Sequence, residues 1–406
     1  SAAQTYFGVH AKDLTLAQSA LLAAIPNQPG LYDPYNPAGQ EALVARQHKV
    51  LDEMANQGFV SRDDADNAKN QPILDTILPQ TSQFNNIKAP HFVQMVRSQL
   101  AAELGKATVG KGGLVVTTTL DLRIQKQLED SFDEMFNPKN PKYKGTPEYA
   151  GFKNGAATVA DTKTGQVVAM VGSRNYDYEG FGQDNAAIAY IQPGSTIKPL
   201  VYAKLFSQHD DPGMNIYGSG TVLPDTKTTF EGGYPPNNAD KQFKGNISIR
   251  QSLALSRNIP AIRAEAITGV KPTLAMIRAA GDTYYCTQGV DAQVGLASAI
   301  GGCGTRMIDH VNAFTTLARG GDYKPQATVL EVRNSENKTL KKWTDSKAKK
   351  VIDPQVAYIL ADILSDDNAR AGLYGRNFPG LVVDKGRVKT ASKTGTSDVN
   401  GKSKDI

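Results

Sequence analysis

The stretch that decides the reading is Pro193-Gly194-Ser195-Thr196-Ile197-Lys198-Pro199, which runs directly into Leu200, Val201, Ala203, Leu205 and Phe206. A Pro-Gly turn followed by an apolar run predicts a helix over 195–206 with Ser195 at its N-terminus, where Pro199 costs little because it falls in the first turn. Residues three apart share a helical face, with Cβ atoms about 5–6 Å from one another, so an amine at Lys198 can reach the Ser195 hydroxyl. That is the spacing of a serine nucleophile and a lysine base. The base has to be neutral, and a lysine of ordinary pKa, about 10.4, is neutral in only about 0.04% of molecules at pH 7. Making it half-neutral there takes roughly 4.6 kcal/mol, which burial together with a second cation can supply. A second lysine and a dry wall are therefore expected.

Lys393-Thr394-Gly395-Thr396, at the end of a strand expected over 387–396, offers that lysine. Gly395 lets a substrate backbone approach closely, and the hydroxyls of Thr394 and Thr396 with the Lys393 amine can hold a carboxylate. Ser256-Arg257-Asn258 adds a hydroxyl able to relay a proton and an amide able to bind a peptide group. Each short pattern recurs elsewhere: Ser346 with Lys349, Ser173 with Asn175, Ser335 with Asn337, and Lys163-Thr164-Gly165. Context separates them, since Ser346 lies in a lysine-rich run, Lys163 in a hairpin turn and Ser335 in a polar loop. The ordered set Ser195, Ser256, Lys393 survives.

Working outward, helical spacing of Leu14, Ala17, Leu21, Leu22 and Ile25 stops at Pro26, and a Pro/Asn/Gly-dense loop over 26–37 leads to a second helix over 41–57. These helices are expected to form a remnant without a core of its own. A helix over 91–104, a glycine-rich break over 105–113 and a strand over 114–120 follow, and the main domain boundary is expected near 141–153. The break mimics a phosphate loop at Gly105 to Gly112 but lacks the hydroxyl after Lys111, so it reads as a connector. Alternation of Ala157, Val159 and Asp161, a turn over 162–165, and alternation of Val167, Ala169 and Val171 make a β-hairpin. Helices over 249–255, 274–280, 307–318 and 354–364 complete a mixed α and β domain.

At 406 residues the chain has room for two to three domains, and its 40% hydrophobic and 21% charged content excludes bulk disorder. The balance of 45 basic against 40 acidic residues is too even for a nucleic-acid binder. The longest apolar stretch, 19–25, is far short of the roughly 18 residues needed to cross a bilayer. Ser1 stands where an initiator would, and no leader pattern follows, so a piece of a longer chain is expected. Two cysteines, Cys286 and Cys303, could bridge outside the cytoplasm or be two small core residues; the five histidines form no metal-ligand pattern, and no metal or cofactor is expected.

The triple of Ser195-x-x-Lys198, Ser256-x-Asn258 and Lys393-Thr394-Gly395 is shared by penicillin-binding proteins and class A β-lactamases. With its flanks, 193–199, 245–260 and 393–396, it resembles the transpeptidase domain of a bifunctional, class A penicillin-binding protein. Tyr6-Phe7-Gly8 through Pro37 with Arg46 to Leu51 resembles the end of that family's glycosyltransferase domain, and Val116 to Asp121 its interdomain linker. The resemblance implies an α+β, serine β-lactamase-like fold with an antiparallel central sheet and a helical subdomain. The division it implies is 1–80 remnant, 81–152 linker and 153–406 transpeptidase domain. Ser195 becomes the acylated nucleophile, Lys198 the base and Ser256 the relay toward the leaving amine. Asn258 binds the substrate or drug amide, while Lys393, Thr394, Gly395 and Thr396 hold the terminal carboxylate. The N–H groups of Ser195 and Thr396 form an oxyanion hole, typically worth about 3–4 kcal/mol per donor.

Substrates implied are stem peptides ending in D-Ala-D-Ala and β-lactams, in a membrane-anchored, extracytoplasmic parent. The family's glycosyltransferase glutamate lies upstream of the text present, so glycan polymerisation is not expected. The sheet strands that follow the Lys393 segment in the family also lie beyond Ile406, so a second chain or fragment is expected to complete the sheet. D,D-carboxypeptidase, β-lactamase and non-catalytic β-lactam-binding or scaffold readings share the site. No ExxLN segment is present to activate a deacylating water, which favours a persistent adduct.

Overall fold

Thr15 and Gln18 exchange backbone and side-chain hydrogen bonds, 3.2 and 3.0 Å, in a capping box that starts helix α1, Leu16–Ala24. The structure, a computed structural model, describes residues 2–78, 87–137, 153–210, 213, 216–289, 294–378, 380–383, 386–399 and 402–405. Helix α2, Gln40–Asn56, packs on α1, and Ser61 caps α3, Arg62–Lys69, by accepting from Asp64 N. Leu21, Leu43, Leu51, Ala65 and Ile73 are buried together. The segment 1–88 thus has a core, contrary to expectation, because α3 and the turn Ile73–Thr76, which the sequence reading passed over, close it.

The second unit, Ala89–Ile406, begins with α4, Pro90–Leu104, whose Pro90 is the first helical residue. After Gly105, at φ +90°, the chain turns into a short helix α5, Lys106–Gly110, where an unstructured break was expected; the positive φ restarts the helix on a new axis. Strand β1, Val115–Thr118, leads to α6, Leu122–Phe136, started by Asp121 accepting from Arg123 N. Of the boundary expected near 141–153, all but the last residue lies outside the described residues, and the chain divides compactly at Lys88/Ala89.

Strands β2, Ala157–Ala160, and β3, Val167–Val171, pair antiparallel with Ala157 opposite Val171. Their turn is held by Asp161 Oδ1, which accepts from Lys163 N and Thr164 N at 3.1 and 2.7 Å, so this Lys-Thr-Gly copy serves a turn. Helix α7, Lys198–Phe206, is the centre of the larger core. Around it lie the antiparallel pair β4, Val222–Asp225, and β5, Gly245–Ser248, then α8, Ile249–Ala254, α9, Asn258–Thr268, and α10, Val270–Ala279. Helix α11, Met307–Ala318, is followed by β6, Val329–Arg333, and β7, Thr339–Lys342, which with β1 form an antiparallel sheet in the order β1, β6, β7. Helices α12, Pro354–Ser365, and α13, Asp367–Tyr374, precede the hairpin of β8, Thr396–Val399, and β9, Lys402–Asp405.

The strand expected over 387–396 is displaced, since ladder pairing starts at Thr396. Just before it the Lys393 amine is drawn to Ser256, the Thr394 hydroxyl to Tyr374 and the Gly395 backbone against Pro193, so the segment docks on the helical core. Cys286 and Cys303 are buried and joined as a disulfide with Cα atoms 5.3 Å apart. No described helix is long and apolar enough to cross a membrane.

Candidate active site

Ser195 sits on a 3-10 turn, Gly194–Ile197, and the α-helix proper begins at Lys198, where a single helix from Ser195 was expected. A 3-10 turn has three residues per turn and eclipses positions three apart, so Ser195 and Lys198 still share a face. Lys198 is completely buried, as are its chain neighbours Ile197, Leu200, Val201 and Tyr202. Its amine donates to Ser256 O at 2.6 Å and to Asn258 Oδ1 at 2.7 Å, and lies 3.5 Å from Ser256 Oγ. Ser195 is half-buried, and its hydroxyl has no hydrogen bond among the described residues. The Lys198 amine is therefore engaged by the Ser256 motif and not by Ser195, a looseness common to catalytic hydrogen bonds without substrate.

Ser256 occupies the end of α8. Its N–H donates to Leu253 O at 3.1 Å and that of Arg257 to Ser252 O at 2.9 Å, the two bonds of a Schellman motif, which demands a left-handed residue at Ser256. Ser256 meets the demand at φ +56°, where glycine is usual, so a strained backbone carries the hydroxyl. Two residues on, Asn258 opens α9. Its N–H donates to Asn238 Oδ1 and its side-chain amide to Asn237 O, each at 2.7 Å.

Between them Arg257 turns inward. It donates from Nε to Asp225 Oδ2 and from Nη1 to Asp240 Oδ2, each at 2.8 Å, and to Gln242 O. Asp225 also accepts from Asn238 Nδ2 at 2.7 Å and from Lys244 N at 3.0 Å. The motif is thus bolted to the 225–244 segment, which the sequence reading did not single out.

The Lys393 amine donates to Ser256 Oγ at 2.8 Å and to Thr394 O at 2.6 Å. Tyr374 OH and Thr394 Oγ1 are 2.6 Å apart, a contact that also escaped sequence reasoning. Glycines bring the backbones together: a Cβ on Gly194, at φ +54°, would sit 2.4 Å from Thr396 O, and one on Gly395 would sit 2.7 Å from Pro193 O. The Ser195 turn therefore lies flush against the Gly395–Thr396 backbone, and Ser195, Lys198, Ser256, Asn258, Lys393, Thr394 and Thr396 gather in one place.

The electrostatics follow from this packing. Burial, then the positive charges of Lys393 and Arg257, hold the Lys198 amine well below its ordinary pKa, with Asp225 opposing. Burial pushes the Lys393 amine down to about 7. The second lysine and dry wall expected from the base's requirements are both present. Such a site can present a hydroxyl to a carbonyl, take up its proton on an amine whose pKa burial depresses, and pass a proton along Ser256. Among the described residues no group of three His, Cys, Asp or Glu could hold a metal.

A family model described as the penicillin binding protein transpeptidase domain matches residues 155–406, and one described as transglycosylase matches residues 1–55. Penicillin-binding protein 2D of Bacillus subtilis is 29% identical over 98% of this chain and 55% of its own length. Penicillin-binding protein 1A of Streptococcus oralis is 27% identical over 98% of this chain and 59% of its own. The chain thus spans somewhat more than half the length of these relatives. In fold it is similar to penicillin-binding protein 1A from Haemophilus influenzae, with a TM-score of 0.60, 19% identity, and 92% of this chain and 70% of that one covered. It is also similar to PonA1 from Mycobacterium tuberculosis in complex with penicillin V, with a TM-score of 0.60, 24% identity and 77% of each chain covered.

Proposed function

Because this chain belongs to the penicillin-binding protein transpeptidase family, we propose that it is a D,D-transpeptidase of peptidoglycan that works through an acyl-enzyme on Ser195 and is acylated there by β-lactams. Ser195 Oγ attacks the carbonyl between the two D-Ala residues of a stem peptide, and its proton passes to the neutral Lys198 amine. Backbone N–H groups of Ser195 and Thr396 receive the developing oxyanion. The proton then travels by way of Ser256 Oγ to the amine of the departing D-Ala. The amine of a second stem peptide attacks the ester, the same relay runs in reverse, and Ser195 is regenerated with a cross-link formed. Asn258 holds the donor amide, while Lys393, Thr394 and Thr396 hold the terminal carboxylate. In a β-lactam the leaving amine stays tethered, so the ester persists.

The observation that carries the reading is the meeting of two lysine amines on Ser256, with Lys198 fully buried and its amine held well below the ordinary lysine pKa by that burial. The Cys286–Cys303 disulfide agrees with an extracytoplasmic setting, as bridges persist where the surroundings oxidise. Membrane attachment would come from the parent protein.

The test is exposure to a fluorescent penicillin followed by peptide mass mapping. A stable adduct on Ser195 that S195A lacks is expected. Release of the label within seconds would favour a β-lactamase, and absence of any adduct would leave a non-catalytic scaffold.

A further inference from the structure

Helix α9, which opens with Asn258 in the site, carries Glu265 two turns further along, fully buried. Its Oε2 lies 2.8 Å from Ser298 Oγ, and the same Oγ lies 2.8 Å from Gly295 O. A hydroxyl has one proton, and a backbone carbonyl can only accept. With Ser298 donating to Gly295, the proton in the Oε2 to Oγ contact belongs to Glu265. Burial agrees, being the largest influence on the carboxyl and pushing it up to about 8. Glu265 Oε1 has no hydrogen bond among the described residues, an arrangement far cheaper for a neutral acid than for a carboxylate.

Ser298 belongs to the 3-10 turn Leu296–Ile300 and is held from its other side by Tyr285 OH, which donates to Ser298 O at 2.5 Å. The turn ends at Gly301, at φ +80°, where a Cβ would sit 2.1 Å from Gly194 O. A short chain of contacts thus runs from Glu265 through Ser298 and Gly301 to Gly194 and Ser195.

The geometry points to Glu265 as a positioning residue, a protonated glutamic acid whose donation to Ser298 fixes the wall that seats the Ser195 turn. Its kinetic test rests on the acyl-enzyme reading above. The rate of labelling by a fluorescent penicillin is compared among wild type, E265Q, E265A and E265L. The glutamine amide can donate to Ser298 Oγ as the acid does, so E265Q is expected within about twofold of wild type, whereas E265A and E265L lose about tenfold or more through misplacement of the nucleophile. The fraction labelled at saturation reports folded protein, and E265L, which fills the volume, stands in if E265A fails to fold. E265L labelling at the wild-type rate, or E265Q as slow as E265L, overturns the proposal. An infrared difference spectrum of wild type against E265Q at neutral pH should show the carbonyl stretch of a protonated acid, and a carboxylate band there overturns it independently of any turnover. A wild type that never labels while keeping the acid band would sink the acyl-enzyme reading and not the assignment of the proton.

Discussion

Replacing Arg257 with alanine should unfold the site from behind. The guanidinium and Asp225 are 7% and 0% exposed in their side chains, so the substitution strands a carboxylate in the interior with only Asn238 and the Lys244 N–H as partners. Removing one member of a buried pair costs about 3–5 kcal/mol, while the leg to Asp240, whose side chain is 46% exposed, adds no more than about 1 kcal/mol. The folded-to-unfolded ratio should therefore fall by roughly a hundredfold or more, read by urea denaturation. D225N in the same chain should recover much of the loss, because it removes the stranded charge. Function should shift too. Arg257 is one of the charges that depress the Lys198 amine, so in R257A the acid limb of penicillin labelling should move to higher pH. A loss of less than about 1 kcal/mol, or no recovery on adding D225N, would refute the view that this pair is the anchor of the Ser256 motif.

The Lys393 amine, at about 7, is held below its unfolded value of about 10.4, so the unfolded chain binds more protons between those values and native stability from this group rises with pH across that window. K393M should therefore be more stable than wild type by about 1–2 kcal/mol below pH 7, after discounting for partial exposure, with the advantage fading toward pH 10; a constant difference in pH-dependent denaturation would contradict this. Y374F leaves Thr394 without its partner and should weaken capture of a substrate carboxylate by about fivefold, a hydrogen bond's worth, with the saturated acylation rate little changed. G194A forces a Cβ to within 2.4 Å of Thr396 O and should slow labelling by about a hundredfold, and a wild-type rate would mean that the two backbones need not touch.

What could be read from the sequence was whatever is local. The hairpin showed in period-two alternation around a turn that Asp161 does hold, and the helix after Pro193-Gly194 showed in its apolar run. Residues remote in sequence but joined in space left little trace. Arg257 finds Asp225 32 residues away, and Thr394 finds Tyr374 20 residues away, at spacings no periodicity marks. Ser256-Arg257-Asn258 resembles an ordinary helix end, and it is one. The left-handed serine of a Schellman motif lies between the two lysines, so the bland and the chemical readings describe the same backbone. The Lys393 segment was placed in a strand because its residues suit one, yet its side chains are claimed by the helical core before the ladder begins.

The claim on which the rest depends is an uncharged Lys198 amine at neutral pH. Its protonation can be followed by NMR of isotopically labelled lysine, with the signal assigned by comparison with K198M. The account predicts a midpoint well below the ordinary lysine range and a rise toward it in K393M, where the neighbouring amine is gone. A Lys198 signal that titrates near 10.4 in the native protein, and does not move in K393M, would contradict it.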